Sequence, residues 1–359
     1  MTAVLVMAVG CEDSRVELIP DDDTPVVEIP EYGYIYFDSE AATRGSLYET
    51  DPEDNRLKAD FGVIGYTHSY NDWNAAEPQA KPNVFYRQNV IWDGSVHSYS
   101  PLQTWHGKQM YAFFAYYPTS LPVSGQNYEG NPYVDFTFSR NNLAGHVDVM
   151  TSHVIDADYR TRSVAFDMKH RLTALDVVAN NLYEDQDEIR ITSMSITLNN
   201  LLFDKVRIPL NMRDEPELDY YAGIASTKTA TYNLLPDGTL SVTDQTNTPL
   251  TSSAKNTTMI LIPQNQYYYL NNEGKIVDAE NGVLNDFTIT GKVNVAYKTI
   301  NDGTETGTVG AKDYDFTISR DLVAGYRYYI QLNFAAGDVT IAILESDMWT
   351  DKDINYDFE

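Results

Sequence analysis

The run from Met110 to Tyr117, Met-Tyr-Ala-Phe-Phe-Ala-Tyr-Tyr, constrains the fold more than any other stretch of the chain. Every position in it is apolar or aromatic, and Pro118 ends it. The run is too short for a membrane-spanning helix, which needs about 20 residues. Continuous apolarity over this length is typical of a β-strand with both faces buried. We therefore expect a central strand that other parts of the chain cover on both sides.

The remaining apolar segments are short and separated by Gly, Pro, Asn and Asp, which favours strands joined by turns. Alternation is clearest in Tyr133–Phe138 and Tyr326–Phe334. The sequence therefore predicts an all-β protein. A chain of 359 residues can form two domains, and we place an N-terminal β-sandwich at residues 31–160 and a C-terminal one at residues 161–359. Between Asn211 and Lys255 we expect a polar insertion with one short strand at 240–242.

The segment 163–179 changes phase along its length. The apolar residues that define the pattern have even numbers up to Leu172 and odd numbers from Leu175. This pattern favours a strand with a β-bulge between these two residues. The alternative is a helix, because Met168, Leu172, Leu175 and Ala179 are spaced by four, three and four residues.

A strand-like stretch near the N-terminus is followed at once by a small, polar loop. Two faces are predicted for the strand at 31–38, with Tyr32, Tyr34 and Tyr36 on one and Gly33, Ile35 and Phe37 on the other. Residues 39–46 are small and polar apart from one arginine, Arg44. Loop tips of this composition are common sites of proteolytic cleavage. The first strand is therefore a candidate for removal by a protease.

The N-terminus contains an apolar run, residues 3–9, that ends in Gly10-Cys11. A small residue before cysteine at the end of such a run resembles the lipobox of bacterial lipoproteins, so residues 1–11 are interpreted as a signal remnant and Cys11 as the lipidated residue. No basic residue precedes the run, and Ala8 stands where leucine is usual. The alternative is a free thiol in a disordered leader. Residues 12–30 are acidic and contain prolines, which is typical of an extended tether.

The formal net charge of −27 argues against a nucleic-acid partner, which would need clustered Lys and Arg. Cys11 is the only cysteine, so no intrachain disulfide can form.

The sequence lacks the common catalytic motifs, and we predict no catalytic residues, no cofactor and no metal. Three weaker signals leave alternatives open. His146 and Asp148 would share a strand face, as zinc ligands can, but a surface histidine beside an acid is more common. A carboxylate pair for glycoside hydrolysis remains an alternative, because the separation of two carboxylates is invisible in sequence. A sugar-stacking platform could be formed by aromatic residues that are otherwise expected in the core: Tyr66, Tyr70, Trp73, Trp92 and Trp105.

Several stretches together resemble the fimbrillin family, the pilin-like lipoproteins of type V pili. They are the lipobox-like Cys11, the Ala-Thr-Arg44-Gly45 loop, the stretch from Val164 to Leu175, the Ile260-Leu-Ile-Pro263-Gln264 strand, and the ending from Ala324 to Trp349. The resemblance spans nearly the whole chain, and the order and spacing of these stretches carry it.

The resemblance implies two transthyretin-like β-sandwich domains in tandem and export to the outer membrane as a lipoprotein. It also implies processing by an arginine-specific protease, which by position falls at Arg44-Gly45. A strand from a neighbouring pilus subunit would then fill the groove left by the first strand. Within the terminal segment 349–359, the alternating residues Ile354, Tyr356 and Phe358 are candidate donors.

The predicted function is a non-enzymatic pilus subunit that acts at the cell surface, with other pilus subunits, the protease, the membrane through lipid, and a host or bacterial surface ligand as partners. The alternative is a monomeric surface lipoprotein that binds glycans.

Overall fold

The structure of the protein is a computed structural model that describes residues 30–41, 57–69, 72–182, 188–212, 222–235, 240–242, 248–250, 258–264, 268–270, 276–278, 287–301, 304–335 and 338–346. Its strands in chain order are β1 (Tyr36–Ala41), β2 (Phe61–His68), β3 (Phe85–Trp92), β4 (His97–Ser98), β5 (Met110–Tyr117), β6 (Tyr133–Thr137), β7 (Met150–Ala157), β8 (Ser163–His170), β9 (Thr173–Asn181), β10 (Glu188–Pro209), β11 (Ala222–Asn233), β12 (Leu240–Val242), β13 (Thr248–Pro249), β14 (Met259–Leu261), β15 (Tyr268–Leu270), β16 (Ile276–Asp278), β17 (Thr288–Asn301), β18 (Thr304–Ile318), β19 (Arg327–Ala335) and β20 (Asp338–Ser346).

Helical structure in these residues is limited to one α-helical turn, α1 (Trp73–Ala76), and three short 3₁₀ segments, Glu77–Gln79, Leu143–Gly145 and Tyr159–Thr161. The predicted all-β class is confirmed. Among the described residues, no helix is long and apolar enough to cross a membrane.

The first sheet has seven strands in the order β1-β8-β7-β5-β2-β3-β4. β5 lies at its centre, between β2 and β7, and both of its faces are buried. Tyr111, Phe113 and Ala115 belong to one hydrophobic cluster, and Ala112, Phe114 and Tyr116 belong to another. The prediction of a central strand covered on both sides is confirmed.

The second half of the chain forms two larger sheets and a small hairpin of β15 and β16. One sheet has the order β11-β10-β17-β18, with β12 and β6 also paired to β10. The other has the order β13-β9-β19-β20, with β14 also paired to β9. All nine residues of β9 are buried. The apolar residues of these sheets form one cluster with the second face of β5.

The chain passes from the first sheet to the others at residues 170–173. β8 and β9 are separate strands in different sheets, so the predicted bulge between Leu172 and Leu175 and the alternative helix were both wrong. The phase of burial changes because the chain leaves one core and enters another. Arg171 is buried at this crossover, and its Nε donates to Thr151 Oγ1 at 2.6 Å.

Strand pairing crosses the predicted domain boundary between residues 160 and 161. β8, which follows the boundary, pairs with β1 and β7, and β6, which precedes it, pairs with β10. The division into two transthyretin-like domains at this position stays a prediction.

The polar stretch 211–255 contains more strand than the sequence indicated. β12 lies where the short strand was predicted, but β11 is a strand of 12 residues paired along β10. β11 is an edge strand rich in Thr, Ser and Ala, and in its last five residues only Ala230 and Tyr232 are buried. Backbone pairing with β10 forms this strand, and hydrophobic periodicity does not reveal it.

His146 joins the two halves of the chain. Its Nδ1 accepts a hydrogen bond from the Ile260 amide at 2.8 Å, so Nε2 carries the proton and donates to the Ser139 carbonyl at 3.0 Å. The Tyr232 hydroxyl lies 3.2 Å from Nε2. Burial lowers the pKa of His146 from 6.5 to about 4. His146 is therefore a neutral structural histidine, and Asp148 faces His170 instead, with Oδ2 2.9 Å from Nδ1 of His170.

The depressed pKa of His146 predicts loss of stability at acid pH. Below pH 6.5 the unfolded chain binds a proton at this histidine, whereas the folded chain does not until about pH 4. The free energy of unfolding should therefore fall by up to about 3 kcal/mol between these two pH values through this group. His146→Phe should be less stable at pH 7 but should lose less stability over the same interval, as measured by urea titration. Equal losses in the two proteins would show that His146 does not contribute.

Candidate functional site

The first-strand segment, residues 30–41, is the best-defined candidate site. It begins with a turn in which the Gly33 amide donates to the Pro30 carbonyl at 2.9 Å, and Gly33 has a φ of +78°. A side chain at this position would strain the backbone. The predicted strand at 31–38 was therefore misplaced: the regular strand starts after this turn, at Tyr36, and runs to Ala41, so residues 39–41 belong to the strand and not to the predicted loop.

The first part of the segment is bonded to the loop that precedes β5. The Ile35 amide donates to the Gln103 carbonyl at 2.9 Å, and the Trp105 amide donates to the Gly33 carbonyl at 3.1 Å. The Tyr99 hydroxyl donates to the Ile35 carbonyl at 2.7 Å. These bonds hold the segment in place before β1 begins.

β1 pairs with β8 in parallel, from Tyr36 opposite Ser163 to Ala41 opposite Met168. Side chains along the segment alternate in burial. Ile35, Phe37 and Ser39 are buried, whereas Tyr36 is 50% exposed. The segment is thus an edge strand whose inner face belongs to the core.

Phe37 occupies a pocket made of four aromatic rings, which we call the aromatic pocket. Its ring centroid lies 5.3 Å from those of Phe85 and Tyr99, 5.5 Å from that of Phe113 and 5.7 Å from that of Phe166. Phe85 lies in β3, Phe113 in β5 and Phe166 in β8, and Tyr99 directly follows β4. Phe37 therefore fills the space at which several strands meet.

The free edge of β1 faces β4, the opposite edge of the same sheet. His97 on β4 is buried, and its Nδ1 lies 3.7 Å from Oδ1 of Asp38. Burial lowers the pKa of His97. No ladder of hydrogen bonds joins β1 to β4 among the described strands. β1 therefore has a strand partner on one side only, although it covers the core on its inner face.

β1 covers both the backbone edge of β8 and the aromatic pocket. Without β1, the backbone groups at the edge of β8 would be unpaired and the aromatic pocket would be open. An extended peptide could restore both sets of contacts, because β-strand addition combines backbone pairing with pockets for alternate side chains. A strand that replaced β1 would therefore have to pair with β8 and fill the aromatic pocket.

Several predicted site residues lie outside the described residues. They are Cys11, Arg44, Gly45, Ile354, Tyr356 and Phe358. Their assignments stay predictions.

The remaining predictions concern the sugar-stacking platform and a metal site. Tyr66, Trp73 and Trp105 are at most 2% exposed, so they belong to the core and form no open sugar-stacking platform. Trp92 is half-buried, and Tyr70 lies outside the described residues. In the part of the chain that the structure describes, no group of three or more His, Cys, Asp and Glu side chains could hold a metal ion.

Sequence reasoning missed Tyr99 and His97, which close the site around the first-strand segment. Both lie in a short stretch after β3 with no periodicity of its own. Their role depends on the approach of β4 to β1, which are far apart in sequence.

The packing of Phe37 predicts a large effect of truncation. Phe37→Ala should lower the free energy of unfolding by about 3–5 kcal/mol, because it removes an aromatic side chain from a closed pocket. Tyr36→Ala is the matched control in the same strand and should cost less than about 1 kcal/mol, since Tyr36 is half exposed. Guanidinium titration of both variants measures the difference. Similar losses would contradict the role of Phe37 as the residue that closes this core.

Comparison with solved structures finds proteins of similar fold. A solved fimbrial protein from Bacteroides vulgatus is 19% identical, with a TM-score of 0.61, and the match covers 88% of this chain and 99% of that chain. A candidate cell adhesion protein from Bacteroides uniformis is 11% identical, with a TM-score of 0.49, and the match covers 88% of this chain and 99% of that chain. The similarity to the Bacteroides vulgatus protein shows a shared fold. No curated protein matched the chain.

The family comparison covers most of the sequence. The model of a family described as fimbrillin-like matches residues 51–348. This range includes β2 to β20 and therefore all of the sheets except the contribution of β1. The match confirms the resemblance found in the sequence, and the protein belongs to the fimbrillin-like family.

Proposed function

We propose that this chain is a non-enzymatic structural and adhesion subunit of a cell-surface pilus that assembles by exchange of its first strand. Family membership supports the coarser part of this function, a fimbrial or adhesion subunit that acts at the cell surface and assembles with other pilus subunits. The finer part, the exchange of a strand, rests on the packing of the first-strand segment.

The observation that carries the proposal is the combination of edge position and deep burial in β1. An edge strand can leave without breaking the ladders between the other strands. Removal of Ile35 and Phe37, however, exposes apolar surface that is worth about 1.5–3 kcal/mol for each side chain. The processed chain would therefore be folded but in need of a replacement strand.

The position of Arg44 in the sequence would allow a protease to remove β1. Arg44 follows the end of β1 at Ala41 by three residues and precedes Leu57, where the described structure resumes. Cleavage between Arg44 and Gly45 would separate β1 from β2 without cutting either strand.

Of the three inward positions of the segment, Ser39 is small, and the replacement strand must satisfy the other two. These hold an aliphatic residue, Ile35, and an aromatic residue two positions later, Phe37. The C-terminal residues Ile354 and Tyr356 have the same order and spacing, and Phe358 continues the row. Donation of this segment to the next subunit is a heterologous contact, which generates an open filament.

Membrane attachment completes the proposal. Cys11 would carry the lipid that anchors the precursor to the outer membrane, and residues 12–30 would connect it to β1. Cleavage after Arg44 would then release the subunit from its anchor and open its groove in a single step.

The cleavage site is tested by limited trypsin digestion and N-terminal sequencing. The wild-type chain should give a folded product that begins at Gly45, and Arg44→Ala should not give this product. Arg56→Ala is the matched control, because Arg56 lies in the same connection between β1 and β2, and it should leave the cut at Gly45 intact. Release of the Gly45 product from Arg44→Ala would refute the assigned site.

The donor strand is tested with two variants of the C-terminus. Replacement of Ile354, Tyr356 and Phe358 by Asp should prevent the cleaved protein from forming polymers, because charged side chains cannot enter apolar pockets. Replacement of Asn355 and Asp357 by Ala leaves the apolar row intact and should leave assembly unchanged. Size-exclusion chromatography after cleavage measures polymer formation, and circular dichroism checks that both variants fold. Polymers of the triple Asp variant would exclude this segment as the donor.

A further inference from the structure

A cleft of about 530 Å³ lies on the outer side of the first-strand segment. Its lining consists of Glu31, Tyr32, Gly33, Tyr34, Tyr36, Trp105, Tyr159 and Arg162. The proposed exchange of β1 uses the inner face of the segment and leaves this outer cleft without a role. Its volume lies within the range of about 300–1,000 Å³ that is usual for small-molecule pockets.

Two tyrosine rings form one wall of the cleft at a fixed angle. Tyr32 and Tyr159 pack edge to face, with ring centroids 5.2 Å apart and an interplanar angle of 63°. Tyr32 also lies against Gly107, where a Cβ atom would be only 2.5 Å from its ring. Both tyrosines are more than a third exposed. The chain therefore holds aromatic surface in place and leaves it accessible.

Trp105 adds a polar group that lacks a partner. Its side chain is 2% exposed and lines the cleft, and its Nε1 is buried without a hydrogen-bond partner in the described part of the chain. A buried donor without an acceptor costs about 1–3 kcal/mol. Nε1 has no access to solvent in this structure, so a ligand oxygen in the cleft would accept from it only after the side chains over it shift.

Arg162 supplies charged donors at the other side of the cleft. The nearby Arg160 is paired with Asp158, whereas Arg162 has no ion pair or hydrogen bond among the described side chains. Its backbone has a φ of +57° and a ψ of −66°, a conformation that costs free energy for a residue with a side chain. Strain of this kind concentrates at binding sites.

We propose that this cleft binds a neutral sugar ring. Sugar C–H groups are attracted to the electron-rich faces of tyrosine rings. Sugar hydroxyls both donate and accept hydrogen bonds, so they match the donors of Arg162 and Trp105 and the carboxylate of Glu31 together. An anionic sugar would meet the repulsion of a chain with a net charge of −27.

The cleft belongs to the uncleaved chain. Five of its lining residues, Glu31 to Tyr34 and Tyr36, precede Arg44 and are part of the first-strand segment. Removal of that segment would dismantle the site, so sugar binding would be a property of subunits that keep their first strand. Binding to the uncleaved chain does not depend on strand exchange, and the two proposals can fail separately.

The test uses the uncleaved full-length chain labelled with ¹⁵N-tryptophan. Glucose, galactose, mannose, fucose, N-acetylglucosamine, N-acetylgalactosamine, lactose and N-acetyllactosamine are titrated separately, with N-acetylneuraminic acid as the anionic comparison. Indole signals are assigned by replacing each tryptophan with phenylalanine, and by elimination if one variant does not fold. At least one neutral sugar should shift the Trp105 indole signal in a saturable manner.

Variants show whether binding occurs in this cleft. Tyr159→Ala and Arg162→Ala should each weaken binding by about tenfold, the effect expected from loss of one aromatic or charged contact. Tyr128→Ala is the matched control, since Tyr128 is 39% exposed and packs edge to face on Tyr133 outside the cleft, and it should change the affinity less than twofold. The proposal is overturned if no neutral sugar shifts the Trp105 signal, if only the anionic sugar does, or if Tyr159→Ala and Tyr128→Ala behave alike.

Discussion

The burial of both faces of β5 is the constraint on which the rest of the structure depends. Six successive apolar residues, from Tyr111 to Tyr116, have no access to solvent or almost none. A strand of this kind is stable only if protein covers the sheet on both sides. The first face is covered by the strands and loops of the N-terminal half, with Phe37 at their meeting point. The second face is covered by apolar residues of the C-terminal half. The two halves are therefore coupled through one strand.

This coupling gives β1 its unusual position. β1 is paired along one edge, because β8 is its only strand partner among the described strands. Its side chains nevertheless complete a core that other strands have already formed. Under our proposal a strand with the right alternate side chains replaces this segment, since the ladders between the remaining strands do not depend on it. The same physical feature would make this exchange feasible and would leave, after removal of β1, a groove that needs a new strand.

Polar groups are concentrated where the two halves meet. Arg171 is buried at the crossover from β8 to β9, and His146 bonds to groups from both halves. Such contacts are directional and fail if the halves shift relative to each other, so they specify one arrangement in a core that is otherwise apolar. The outer cleft beside β1 has a different character. Its two packed tyrosine rings, Tyr32 and Tyr159, are exposed, and under our proposals its sugar site and the exchange of β1 exclude each other in a single subunit.

Periodicity in the sequence was sufficient to predict the all-β class, the doubly covered β5 and the alternation of Ile35, Tyr36 and Phe37, because side chains of a strand point to opposite faces in turn. The order and spacing of several stretches carried the resemblance to the fimbrillin family. Periodicity was not sufficient where contacts with other strands decide whether and where a strand forms. β11 forms because β10 offers a backbone edge, and the phase change after His170 reflects a move between cores. The parallel pairing of β1 with β8, the approach of β4 and the grouping of Tyr32, Trp105, Tyr159 and Arg162 join residues far apart in the chain. The sequence alone determined which residues seek burial, and only the tertiary structure decided which of them meet, because contacts between distant strands depend on packing and not on local pattern.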